Sequence, residues 1–195
     1  MRQYSALPHR PLRPHTCFQL PSQSLPPRVG LDDPAESVMT DFQKVTAFTI
    51  DPDVSVDTAA RVMRRRKVHL LLVVDVDNEV MGLITSNDLI GEKTLQCISA
   101  RGIVREDALV RDIMTPQDRI EVISMDDVRH AHVGHVVATL QATGRRHAAV
   151  VDEDAAGRQV LRGLFAASQL ERQLGEALNT PEIAQTFAEI SAALK

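Results

Sequence analysis

Several things are scarce in this chain of 195 residues, and each scarcity closes a class of function. Tryptophan is absent and aromatic residues make up 3%. The core must therefore be aliphatic, and a stacking platform for single-stranded nucleic acid is not expected. Positive charge is not in excess: the formal net charge is -4, which argues against a broad basic face for duplex nucleic acid. The two cysteines, Cys17 and Cys97, share no CxxC or Cys/His spacing, so neither a disulfide framework nor a zinc site is expected. No apolar run approaches the roughly 18 residues that cross a bilayer. The arginines near the N-terminus are not followed by the apolar stretch of a signal peptide. A cytoplasmic protein without membrane or nucleic-acid contact is the expectation. Catalytic signatures are missing too: there is no Gly-x-Ser-x-Gly elbow, no phosphate-binding glycine loop and no His-Glu-x-x-His. The chain is therefore not expected to be an enzyme.

What is present is a repeat. Leu71-Leu72-Val73-Val74-Asp75 is followed by Val80-Met81-Gly82-Leu83-Ile84-Thr85-Ser86-Asn87-Asp88-Leu89. Ala148-Ala149-Val150-Val151-Asp152 is followed by Val160-Leu161-Arg162-Gly163-Leu164-Phe165-Ala166-Ala167-Ser168-Gln169-Leu170. Matching openers stand ahead of each copy, Val38-Met39-Thr40-Asp41 and Ile113-Met114-Thr115-Pro116. Two copies of one supersecondary unit indicate a paired, pseudo-symmetric fold rather than an open array.

The pattern within each copy reads strand, helix, strand, strand, helix. In the first, Val45 to Ile50 is apolar and β-branched and is ended by Pro52. Ser55 caps a helix whose face is Val56, Ala59, Ala60 and Met63 and which closes on Arg64-Arg65-Arg66. Leu70 to Asp75 reads as a strand buried on both sides, with a turn at Asp77-Asn78 and a strand from Val80 to Ile84. Thr85 to Asp88 opens a helix carrying Leu89, Ile90, Leu95 and Ile98. The second copy has a longer first helix, Asp126 to Ala142, with Val128, Ala131, His135, Ala138 and Ala142 on one face and Gly144 as its stop. Its hairpin turn, Glu153 to Gln159, carries four extra residues. The fold class is α/β (α+β), with boundaries at 1–35 for a disordered tail holding seven of ten prolines, 36–100 for unit 1, 107–175 for unit 2 and 176–195 for a final helix. That helix, capped by Thr180 and Pro181, would carry Ile183, Phe187, Ile190 and Leu194 as an apolar stripe.

One constellation carries chemistry and a second, of histidines, falls short of it. Gly82 to Asp88 sets a hydroxyl and a carboxylate one helical turn apart at a strand-to-helix junction. A carboxylate there can accept from both hydroxyls of a ribose, and the helix start aims N–H groups at a phosphate. The same residues also make a capping box, and the two readings are compatible. In the second copy Ala166 and Gln169 replace Thr85 and Asp88, which removes the hydroxyl and the anionic acceptor; one amide oxygen remains. His130, His132 and His135 have partly helical spacing, but no further ligand completes a metal shell, so no metal site is expected.

The β-α-β-β-α order, the Met-Thr openers, the Val-Val-Asp strand ends and the Gly-x-x-Thr-x-x-Asp stretch, recurring over about 36–175, resemble a tandem pair of CBS (cystathionine β-synthase-type) domains, or Bateman module. The resemblance implies two units packed through their sheets, with two clefts for adenosine-containing ligands such as AMP, ADP, ATP or S-adenosylmethionine. It implies a free-standing regulatory sensor, a homodimer and a protein effector whose identity is unknown, with no cofactor required. It places Thr85, Asp88, Thr115, Ile120, Arg145 and Arg146 around one cleft. There the diol would meet Asp88 and Thr85, the base Ile120, and phosphate the two arginines. Thr40, Val45, Lys67, Val68, His69 and Gln169 would line a second, weaker cleft. A ligand-free dimerisation or scaffold module is the alternative.

Overall fold

The computed structural model describes residues 13–14, 16 and 21–178. Cys17 and the expected C-terminal helix, with Ile183, Phe187, Ile190 and Leu194, lie outside the described residues. The first half supplies β1 (Thr40–Asp41), β2 (Thr49–Ile50), α1 (Val56–Arg66), β3 (Leu70–Val74), β4 (Val80–Thr85), α2 (Ser86–Ile90) and α3 (Glu92–Arg101). The second supplies α4 (Val110–Ile113), β5 (Thr115–Pro116), β6 (Val122–Ser124), α5 (Met125–His130), α6 (Val133–Thr143), β7 (His147–Glu153), β8 (Gln159–Ala166) and α7 (Ala167–Leu174). The architecture is α+β, with two four-stranded sheets.

The sheets exchange their openers. One runs β2-β3-β4-β5 and the other β1-β8-β7-β6. Thus β1 from the start of the chain pairs with β8, Asp41 opposite Gly163, and β5 pairs back onto β4, Pro116 opposite Gly82. Each glycine sits where a side chain would strike the passing opener: a Cβ on Gly82 would lie 2.5 Å from the Thr115 carbonyl oxygen. The cores follow the same exchange. One contains Ile50, Val56, Leu71 and Ile84 together with Ala108, Val110 and Ile113, and the other joins Ala35, Val38 and Met39 to Phe165, Leu140 and Leu170. Asp41 locks β1 in place through a two-pronged pair with Arg162, at 3.1 and 3.0 Å. Burial pushes the Asp41 carboxyl up, but Arg162 and the Gln43 N–H more than offset this and hold it below the usual carboxylate range.

Local signals explain α1 well. Ser55 accepts from the Thr58 N–H at 3.3 Å, Asp57 lies in the first turn, three arginines close the last, and Lys67 ends the helix at φ 55°. Other elements differ from the sequence expectation, each for a visible reason. The strand expected from Val45 is formed only at Thr49–Ile50, because the Lys44 and Val45 N–H groups fold back onto the Asp41 carbonyl. The helix expected after Thr85 is broken at Gly91, and Ile90 and Leu95 face outward while Leu89 is buried. The long helix expected from Asp126 to Ala142 is interrupted at Ala131. There the chain segment before Ala35 docks: Ala35 N–H bonds the Ala131 carbonyl, and the Val133 and Gly134 N–H groups bond the Asp33 and Leu31 carbonyls. The interruption shifts the buried face to Val133, Val136 and Leu140.

Residues 21–34, expected to belong to a structureless tail, instead lie against the second sheet's helices. The Val29 N–H bonds the Gln173 carbonyl, and the Gln23 side chain bonds both the Met39 carbonyl and the Asp41 N–H, each at 2.9 Å. The four extra hairpin residues lengthen β7 and β8 rather than the turn, which spans five residues in both copies, 75–79 and 154–158. The turn role of Asp75, accepting from the Asp77 and Glu79 N–H groups, passes to Asp154 and not to Asp152.

Candidate functional site

A cleft of about 410 Å³ opens between the two sheets. The end of β4 and the start of α2 form one wall, with Thr85 and Asp88; β5 adds Thr115. The turn before β6 adds Ile120 and Glu121, and the loop between α6 and β7 adds Arg145 and Arg146. The six residues that the resemblance assigns to the first cleft all line this one space, although they come from both halves of the chain.

The polar groups are already engaged. Thr85 and Asp88 form a full capping box: Asp88 Oδ2 accepts from the Thr85 N–H and hydroxyl, both at 2.8 Å, and Thr85 Oγ1 accepts from the Asp88 N–H at 3.3 Å. The Ser86 N–H bonds the His69 carbonyl at 2.9 Å. The idea of this helix start as a cradle of open N–H groups for phosphate is therefore not supported: α2 is five residues long and the N–H groups of Thr85, Ser86 and Asp88 are committed. Asp88 Oδ1 remains directed into the cleft, where the Lys93 ammonium meets it at 2.6 Å and also reaches Thr115 Oγ1 at 3.3 Å. Lys93 was not foreseen. Its signal was weak, a lysine just past Gly91 that only the break after α2 turns back over Asp88.

The two arginines differ. Arg146 makes a two-pronged pair with Glu171 of α7, at 3.2 and 3.0 Å, with both partners about one-fifth exposed. Arg145 makes a single 3.2 Å contact with Glu121, and both side chains are exposed. Exposed pairs of this kind are worth ~0–1 kcal/mol and exchange partners readily; the Arg146 pair is more firmly fixed.

His147 stands behind Arg146, on the wall shared with the second cleft. Burial, the Arg146 charge and His69 hold its imidazole down to about 4, against a smaller upward pull from Asp88. It is neutral at pH 7.

The second cleft is larger, about 1000 Å³, and contains Thr40, Val45, Lys67, Val68, His69 and Gln169, all six residues assigned to it. Gln169 does not present a free acceptor. Its amide nitrogen donates to the Val38 carbonyl at 2.9 Å, and its oxygen receives the Thr40 hydroxyl at 3.4 Å. Pro21, Ser22 and Gln23 form part of the rim, a contribution that the proline-rich composition concealed. Among the described residues no group of His, Cys, Asp and Glu side chains could hold a metal: His132 and His135 interact with each other, the His135 ring accepting the His132 N–H at 3.0 Å. No helix among these residues is long and apolar enough to cross a membrane.

Comparison with known proteins agrees with this fold. Residues 33–93 match the family model of the CBS domain. Among solved structures, the chain is similar to an uncharacterized conserved protein from Pyrococcus horikoshii, with a TM-score of 0.52, 22% identity, and coverage of 73% of this chain and 92% of that one. It is similar to CBSX2, an Arabidopsis thaliana CBS-pair protein, in its complex with AMP, with a TM-score of 0.50, 24% identity and coverage of 72% and 94%. A CBS-domain containing protein from Agrobacterium tumefaciens gives a TM-score of 0.50, 21% identity and coverage of 67% and 87%. At these identities the likeness is one of fold. None of the curated proteins matches the sequence.

Proposed function

This chain is a CBS domain-containing protein, and from that premise we propose that it is a regulatory module whose Thr85–Asp88 cleft binds an adenosine nucleotide. The observation that carries the reading is the convergence of Thr85, Asp88 and Lys93 from one half with Ile120 and Arg145 from the other on a single cleft. Asp88 Oδ1 accepts from the ribose diol, with Lys93 moving aside or sharing the oxygen, since the lysine is half exposed while Asp88 stays fixed in the wall. Ile120 walls the base. Phosphate is met by Lys93 and Arg145, whose own side chains are 51% and 44% exposed, rather than by Arg146, which stays on Glu171 and anchors α7. Because the ligand touches both halves, it favours one relative orientation of the two sheets, and an effector protein reads that orientation. The role is regulatory rather than catalytic, and no cofactor is invoked.

AMP is the first ligand to try, because the fold is shared with CBSX2, which was solved with AMP; ADP, ATP and S-adenosylmethionine follow. Isothermal titration of the wild type should give saturable heat with at least one of them. Asp88→Asn keeps an oxygen for the cap but loses the charge, and should weaken that binding about ten- to a hundredfold, as loss of a hydrogen bond to a charged group does. Equal affinity of wild type and Asp88→Asn would remove the role given to Asp88. A second reading, a ligand-free homodimerisation or scaffold module, is favoured by the outward-facing Ile90 and Leu95, which are 80% and 64% exposed. It predicts no heat with any of the four ligands and a dimer that Ile90→Asp and Leu95→Asp together dissociate.

A further inference from the structure

The two clefts differ in charge as well as size. In the first, every fixed cation has a carboxylate partner: Lys93 with Asp88, Arg145 with Glu121, Arg146 with Glu171. In the second, no aspartate or glutamate stands among the described lining residues, while Arg66, Lys67 and Arg172 all do. These three are exposed at the rim. The guanidinium of Arg66 lies over the Phe48 ring, 5.5 Å from its centroid, and among the described residues none of the three pairs with an acid. Below the rim the lining is largely apolar, with Phe42, Val45, Phe48, Val62 and Leu164. The counterpart of the Thr85 and Asp88 pair is gone: Ala166 has no hydroxyl, and Gln169 spends its amide on Val38 and Thr40.

We propose that this second cleft is a binding site for an amphipathic organic anion, a carboxylate, sulfonate or phosphate head on a ring or chain, which needs no diol. The apolar body enters between Phe42, Phe48 and Val62, and its burial supplies the favourable transfer term. The head remains at the mouth, where the cations and the fork of Arg172 meet it. Neither His69 nor His147, which line this cleft too, is required to ionise. The site is separate from the nucleotide reading of the first cleft, and the two can fail independently.

The test uses the full chain and 8-anilino-1-naphthalenesulfonate, an anion with an apolar body whose emission rises on burial. Saturable binding at one site per chain is expected. Arg172→Glu should weaken it about tenfold through loss and reversal of one charge at the mouth, Arg172→Lys should largely preserve it, and about 1 M salt should weaken it. The uncharged N-phenyl-1-naphthylamine should bind about tenfold more weakly. Asp88→Asn, which is expected to lose AMP, should leave the probe unaffected, and saturating AMP should not displace it. Circular dichroism confirms that each variant is folded. The proposal is overturned by emission that never saturates, by equal binding of the neutral compound, by an Arg172→Glu variant that binds the probe as well as the wild type does, or by displacement of the probe with AMP.

Discussion

At the scale of single residues, His147 joins structure to pH. Its imidazole stands between the two clefts, and its burial beside Arg146 and His69 keeps it neutral until about pH 4. An unfolded histidine takes up its proton near pH 6.5. Between those values the unfolded chain holds more protons than the folded one, so stability rises with pH. The contribution of His147 is complete above pH 6.5 and is lost as pH falls toward 4, by up to about 3 kcal/mol. Urea unfolding at pH 7.5, 6 and 5 should show this acid-side loss in the wild type and a shallower slope in His147→Gln. Parallel slopes would mean that the imidazole is in fact open to water.

At the scale of elements, the crossings of the openers decide which positions tolerate change. β5 runs flush over β4 because residue 82 has no side chain, and β1 runs over β8 because residue 163 has none. The repeat makes both glycines visible in the sequence, but not the strand that lies on them, since a two-residue strand has no periodicity to read. Gly82→Ala must push the Thr115 carbonyl aside, and overpacking of this kind costs about 1–3 kcal/mol. Because Thr115 also lines the first cleft, the variant should lose nucleotide affinity along with thermal stability. Gly30→Ala, where a Cβ would meet nothing within 4 Å, should leave both unchanged. Equal melting temperatures for the two variants would show that the opener is not held against β4.

At the scale of the molecule, the repeat itself and the strand–helix–strand–strand–helix order were legible, because they follow from residues in matched copies; the lining of the two clefts came from the family resemblance and not from the residues themselves. Chain pairing between distant segments was not. Nothing near Asp126 announces that residues 31–35 will bond into a helix break at Ala131, and nothing near Arg146 announces Glu171. Sequence boundaries at 36–100 and 107–175 cut across the opener exchange, which makes the two units unequal. All of β2, β3, β4 and β5, and every buried residue of the first core from Ile50 to Ile113, lie in one uninterrupted stretch. The second unit is discontinuous, since its sheet needs β1 and its core needs Ala35, Val38 and Met39 from the far side of the first. A fragment spanning 42–121 therefore keeps a whole sheet and a whole core, and should unfold cooperatively on heating, at a lower temperature than the full chain because its cleft-side sheet face is uncovered. A fragment spanning 36–100 keeps the two long strands but lacks β5, Ala108, Val110 and Ile113, and should melt without a transition. Circular dichroism melts of the two separate the cases: a cooperative transition in 36–100 would mean that the first unit closes on itself and does not depend on β5.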